Sequence, residues 1–249
     1  EIARSLYRGD GYLFFHHGVP FRSAYMPVFP MLCAFLHMLG GPSLWLFYGF
    51  HLACSAVMIA SVHALARAVW GDRVAFVAAW LVAIEPGLIV YQSYKVDAVP
   101  LASVLLVLAL LAVLRHARSG GWREAGLAGA FAGLAALTRP DMIFFWLAPA
   151  AWVMQERFSA KVLRGLLVMS LAFTVVLCPW IIRNYIVQGR FMPATTLAGV
   201  NLWIGNNPNS TGTPWARNGL TQWQAAPNDF KAVIATGPEL ASDDHYRHE

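Results

Sequence analysis

A succession of long apolar runs, with basic residues gathered at alternating ends, limits this chain more than any other feature of its sequence. No charged residue lies between Arg22 and Arg67, and none between Asp97 and Arg115. Further apolar stretches cover Val74–Ile84, Ala125–Thr138, Met142–Gln155 and Gly165–Ile182. A water-soluble domain of this size rarely needs so many nearly uncharged helices, because its surface has to be polar. Composition agrees: 58% of residues are hydrophobic and 12% charged, against roughly a quarter charged in globular domains. The expected fold class is all-α: a polytopic transmembrane helical bundle with outward-facing loops and a polar C-terminal extramembrane segment.

Breakers divide the runs into spans. Gly40-Gly41-Pro42 separates a short Met31–Leu39 element from a span that covers about Ser43 to Ala66. The short element falls well below the ~20 residues that a crossing needs, and reads as a juxtamembrane or interfacial helix. The next span runs from Val74 toward Val90, interrupted at Glu85-Pro86-Gly87, and another begins near Asp97 and continues to Leu114. Two short spans follow, Trp122–Leu137 and Pro140–Met154, then a last one over Val162–Ile182. From Arg183 onward Asn, Pro, Gly, Thr and Trp become frequent, as in Asn206-Asn207-Pro208-Asn209-Ser210-Thr211-Gly212. The expected organisation is a transmembrane region over 1–182, with an outer loop and juxtamembrane helix at 1–39. An extracytoplasmic segment over 183–249 is read as the start of a truncated region.

Orientation follows from the basic residues of the short loops. Arg67, Arg73, Arg115, Arg118, Arg123, Arg157, Lys161 and Arg164 fall on one side, and Lys95 and Arg139 on the other, eight against two. The first set marks the cytoplasmic side. Residues 1–30, the Glu85–Asp97 hairpin, the Arg139–Asp141 hairpin and the tail after Arg183 then face outward. The formal charge of +5 is a topology signal of this kind, because the bases flank spans and form no exposed tract; no nucleic-acid partner is expected.

The outward side collects the candidate site residues. Glu85, Lys95 and Asp97 lie near the membrane, where charged groups are retained mostly when paired or functional. They fit either an interfacial hairpin, with Lys95 snorkelling and tyrosines such as Tyr94 in an aromatic belt, or a lipid-phosphate or metal-assisted site. In the latter Lys95 is the phosphate contact and Asp97 the acid, base or ligand. Arg139, in Thr138-Arg139-Pro140-Asp141, carries a fork of donors suited to phosphate oxygens; it fits equally well as a partner of Asp141 that pins the turn. Arg183, near the end of the last span, reads as a headgroup contact or as an interfacial anchor. Cys33, Cys54 and Cys178 lack ligand spacing. His16-His17 has no third ligand beside it, and Gly126, Gly129 and Gly133 read as a close helix-packing seam.

The ordered features resemble the bacterial GT-C superfamily of membrane glycosyltransferases. More narrowly, they resemble the glycosyltransferase 39 and dolichyl-phosphate-mannose–protein mannosyltransferase group, which includes the aminoarabinose transferases. The resemblance rests on Ile2-Ala3-Arg4-Ser5-Leu6 through Gly9-Asp10-Gly11-Tyr12, on Pro27-Val28-Phe29-Pro30, and on Asp97 at the start of a span. It continues in Gly133-Leu134-Ala135-Ala136-Leu137-Thr138-Arg139-Pro140, in Pro179-Trp180 with Arg183-Asn184-Tyr185, and in Asn201-Leu202-Trp203-Ile204-Gly205-Asn206-Asn207-Pro208. It implies transfer of a sugar from a polyprenyl-phosphate donor to a lipid, glycan or protein acceptor, within a lipid bilayer. The implied location is the bacterial inner membrane, crossed many times, with the catalytic face periplasmic. No nucleotide cofactor is implied, and a divalent metal ion is left open. The family's first-loop acidic segment would fall before Glu1. Asp97 matches the acidic residue of the second outer loop, although Ala98-Val99-Pro100 follows it where relatives place proline directly. Arg139 matches the Thr-Arg-Pro turn, a plausible place for a lipid phosphate.

Two other classes stand beside this reading. A transporter or flippase of a lipid-linked substrate would carry ionisable residues at mid-span and inverted repeats with broken helices. A noncatalytic membrane scaffold would need only small-residue seams and interfacial anchors.

Overall fold

The computed structural model describes residues 1–249 except 17, 18, 42, 94, 95, 147–159, 208, 214, 218, 222, 223, 225–238 and 240–249. The described chain is helical, with one short hairpin, and it divides into two compact units: Glu1–Tyr25 with Ile181–Glu249, and Met26–Trp180.

The Met26–Trp180 unit opens with α2 (Val28–Gly40) and continues into α3 (Leu44–Trp70). Gly71, at φ 86° and ψ 179°, takes a positive-φ extended conformation open to glycine, and lets α4 (Asp72–Ile84) reverse against α3 after a single residue. Across that turn Arg67 and Asp72 form an exposed ion pair at 2.7 Å. The expected run Val74–Val90 divides at its expected interruption into two helices, because Glu85 breaks the chain between α4 and α5 (Pro86–Ser93). Proline cannot donate to the helix before it, and it suits the first turn of the helix after it.

The core of this unit lies around α6 (Val99–Ser119), which packs against α3 and α7 (Trp122–Thr138). Ala102, Leu105, Ala109, Ala112 and His116, spaced three or four apart, are all buried, and so form one covered stripe. On α7 the buried face is built of Ala125, Ala128, Gly129, Ala132, Gly133 and Ala136. Small residues let helix α8 (Ala160–Gln188) approach closely. A methyl group at Gly129 would overlap the carbonyl oxygen of Met169, and one at Gly133 would lie 2.9 Å from Val176 Cβ. Gly126 differs: a methyl there would touch only Val168, at 3.9 Å. Helix α6 meets α8 at His116, whose Nδ1 lies 2.8 Å from the Gly121 carbonyl oxygen, while its ring rests where Gly165 lacks a side chain.

Three described helices are long and apolar enough to cross a membrane: Leu44–Trp70, Val99–Ser119 and Ala160–Gln188, with mean hydropathies of 1.7, 2.2 and 2.3. The expected span Pro140–Met154 begins as a 3-10 turn, Pro140–Trp146, and its remainder lies outside the described residues. Exposed Trp45, Leu52, Phe76, Trp80 and Leu171 suit helices whose solvent is lipid.

The other unit holds α1 (Ile2–Arg8), ended by Gly9 at φ 84°, and the antiparallel strands β1 (Phe14–His16) and β2 (Val19–Phe21), with Phe14 paired to Phe21. The last turns of α8 and helix α9 (Ala198–Asn206) complete it. The polar run after α9 closes that helix. Asn207 Nδ2 donates to the Trp203 carbonyl at 2.9 Å, and Ser210 Oγ to the Ile204 carbonyl at 2.7 Å, satisfying acceptors that a helix end leaves open.

Candidate functional site

Each unit carries a set of polar residues at helix ends. In the Met26–Trp180 unit, the carboxylates begin helices. Glu85 accepts the N–H of Leu88 at 2.5 Å, three residues along, and so caps α5. Asp97 precedes α6, and its Oδ1 accepts the Val99 N–H at 2.9 Å. That bond orients a partly buried carboxylate whose Oδ2 takes no hydrogen bond among the described residues.

Helices α6 and α7 are joined by Gly120-Gly121 alone and pack side by side. The start of α6 and the end of α7 therefore lie at the same end of this helical hairpin, and Asp97 and Arg139 both belong to that end. Arg139 leaves α7 in an extended conformation, at φ −143° and ψ 129°. Its guanidinium grips Asp141 with two bonds, Nε to Oδ1 and Nη2 to Oδ2, each 3.1 Å. Both side chains of this pair are solvent-accessible. Of the residues singled out in the sequence, the structure thus joins Arg139 to Asp141, while Glu85 and Asp97 each hold the start of their own helix. Lys95 and Tyr94 lie outside the described residues.

Arg183 belongs to the other unit. The last expected span does not end at Ile182: helix α8 runs on to Gln188, which places Arg183 within a helical turn. Its guanidinium lies over the Tyr12 ring, 5.3 Å from the centroid. Its Nη1 donates to Ser23 Oγ and to Asn184 Oδ1, both at 3.0 Å. Burial pushes the Tyr12 phenol above its ordinary value and Arg183 offsets part of that rise. Tyr12 accordingly stays a neutral donor, bonded to the Tyr25 carbonyl at 3.0 Å.

Around Arg183 stands a cluster that the sequence reading did not single out: Ser23, Asn184, Gln188, Thr196 and Glu239. Ser23, Asn184 and Thr196 are sealed from solvent, and Glu239 is 7% exposed. The hydroxyl of Ser23 meets Asn184 Oδ1, Arg183 Nη1 and Gln188 Nε2 at 3.1, 3.0 and 3.0 Å. One donor and two acceptor positions are all a hydroxyl has. Asn184 Nδ2 completes the network by reaching the carbonyls of Met192 and Ala194 at 3.3 and 3.2 Å. Asn184 sits in the Arg183-Asn184-Tyr185 run, so part of this signal was present in the sequence. Ser23 and Glu239 carry no local pattern that would flag them.

Among the described residues no three His, Cys, Asp or Glu side chains converge as a metal site requires.

Long uncharged helices with ionisable residues held at their ends define a multi-span helical membrane protein. Residues 20–182 match the family model described as dolichyl-phosphate-mannose-protein mannosyltransferase, and the chain belongs to that family. Membership implies glycosyltransferase activity with a lipid-linked sugar donor. The match contains Asp97 and Arg139. Neither the curated proteins nor the solved structures give a match.

Proposed function

We propose that this protein transfers a sugar from a polyprenyl-phosphate-linked donor to a lipid, glycan or protein acceptor at the outer, periplasmic face of a bacterial inner membrane. The family match over 20–182 carries the reading. The separation of basic loops from the end that holds Asp97 and Arg139 supports the choice of face.

Chemistry at that end has two requirements. A nucleophile on the acceptor must lose a proton, and the departing polyprenyl phosphate must carry the negative charge that develops on it. Asp97 is the proposed base. The Val99 N–H holds one of its oxygens at 2.9 Å, leaving Oδ2 for the acceptor hydroxyl or amine. Arg139 is the proposed phosphate contact, its guanidinium plane fixed by Asp141. Lys95, two residues before Asp97, is a second cation for the same phosphate. The broken α4–α5 region and the apolar faces of α3 and α6 supply surface for an isoprenoid tail.

The test follows release of free polyprenyl phosphate in proteoliposomes supplied with glycosylated polyprenyl phosphates and an extracted acceptor pool. Asparagine keeps the oxygen that accepts the Val99 N–H, so Asp97→Asn is expected to remain folded and to lose about 100-fold or more of acceptor-dependent release. Full release by this variant removes Asp97 from the reaction. Absence of release by the folded wild type with every donor sinks the transferase reading in favour of transport or scaffolding.

A further inference from the structure

The carboxylate of Glu239 lies in a cradle made only of donors. Oε2 accepts the Arg22 backbone N–H at 2.7 Å and Gln188 Nε2 at 2.8 Å. Oε1 accepts the Ser23 backbone N–H at 2.8 Å and the Thr196 hydroxyl. Four donors thus serve one buried carboxylate, two of them successive backbone amides, an arrangement that forms anion-binding concavities. Ser23 Oγ is in turn bonded to Arg183 Nη1 at 3.0 Å, which places a guanidinium at the cradle's edge. All these groups belong to the unit formed by Glu1–Tyr25 and Ile181–Glu249.

Such a cradle selects by charge and acceptor count, not by identity. Its backbone amides cannot turn away or change protonation, and with no anion present the buried Ser23 N–H would be a donor without an acceptor. A phosphate group presents the same kind of charged oxygens as a carboxylate and accepts hydrogen bonds from the same donors.

We propose that Arg22, Ser23, Gln188 and Thr196 form an oxyanion-binding site, occupied by the chain's own Glu239, that takes a phosphate group in its place. Glu239 is then an internal competitor, and the affinity of the site for phosphate is set by the exchange of one anion for the other. The phosphate is free or ester-linked to a polyprenol; this choice of ligand rests on the reading of the protein as a polyprenyl-phosphate-dependent transferase.

The test uses the purified protein in lipid nanodiscs and measures binding of inorganic phosphate and of polyprenyl phosphate, together with thermal unfolding. Glu239→Gln removes the internal charge while keeping the shape, and is expected to bind phosphate about tenfold more tightly than the wild type. Glu239→Ala is expected to unfold at lower temperature. Phosphate or formate should restore that loss saturably, chloride at equal ionic strength should not, and adding Thr196→Val should weaken the rescue. A larger gain in affinity for polyprenyl phosphate than for inorganic phosphate on Glu239→Gln assigns the site to the lipid; an equal gain for both assigns it to free phosphate. Unchanged phosphate affinity in Glu239→Gln overturns the proposal. If Glu239→Ala folds, a stability loss that no oxyanion relieves overturns it as well. These readouts involve no sugar transfer, so a failed transferase assay leaves this proposal standing, and its own failure leaves the transferase reading untouched.

Discussion

The hydroxyl of Ser23 and the side-chain oxygen of Asn184 lie 3.1 Å apart, both residues sealed from solvent, although 161 positions separate them in the chain. Through this contact the turn after β2 is tied to the last turns of α8. Arg183, Gln188 and the Met192 and Ala194 carbonyls join the same network. A network so fully satisfied fixes one arrangement, because any shift leaves buried groups without partners.

Asn184→Ala is expected to destabilise the protein by about 2–4 kcal/mol, since two carbonyls, a serine hydroxyl and an arginine each lose a partner. Asn184→Asp should be no better: it keeps the Oδ1 acceptor but points a second acceptor at the Met192 and Ala194 carbonyls. Thermal unfolding in detergent or nanodiscs measures both, and wild-type stability in either would show that the network is dispensable.

Gly129→Ala would drive a methyl group into the Met169 backbone, and overpacking of this kind costs about 1–3 kcal/mol. Gly126→Ala on the same helix meets only an ordinary contact with Val168 and should be neutral or slightly stabilising. Comparison of the two melting temperatures separates close helix approach from a general intolerance of alanine.

The Arg139–Asp141 pair is accessible to solvent, so its loss should change stability by less than about 1 kcal/mol. Its effect should appear in donor use instead. Arg139→Gln is expected to raise the donor KM by about tenfold or more, as expected when a charged contact to phosphate is lost. Arg139→Lys, a point charge without the fork, should recover only part of it. Steady-state transfer with varied donor concentration decides this; an unchanged KM in Arg139→Gln would leave Arg139 as a turn-forming residue alone.

Burial holds the Tyr12 phenol above its ordinary value, whereas the unfolded chain ionises near the usual ~10. The folded state therefore retains this proton where the unfolded state has lost it. The associated stability is fully present below pH ~10 and declines as pH rises toward the higher folded value. Unfolding temperatures of the wild type should fall above pH ~10 more steeply than those of Tyr12→Phe, which has no proton to lose at this site.

Much of the helical framework was legible because lipid imposes simple rules. A span must be long, apolar and internally hydrogen-bonded. The expected Ser43–Ala66 and Trp122–Leu137 segments correspond to Leu44–Trp70 and Trp122–Thr138. The glycine seam could also be seen as a seam. Its unequal members could not: Gly129 and Gly133 face α8 closely and Gly126 does not, because rotation of one helix against another is set by packing.

The candidate groups divide in the same way. Sequence placed Asp97 before a span and Arg139 beside Asp141, since two-residue spacings and helix starts are local chemistry. Hydropathy alone establishes that this chain is a helical membrane protein, locates three of its six expected spans as long apolar helices and shows which ends carry its charged groups. Long-range packing sets the rest: Arg183 belongs to a buried network with Ser23 and Asn184, and Glu239 fills a cradle formed with Arg22, Gln188 and Thr196. Hydropathy and spacing act over a few helical turns, whereas these contacts join segments 43 to 217 residues apart, which no local pattern specifies.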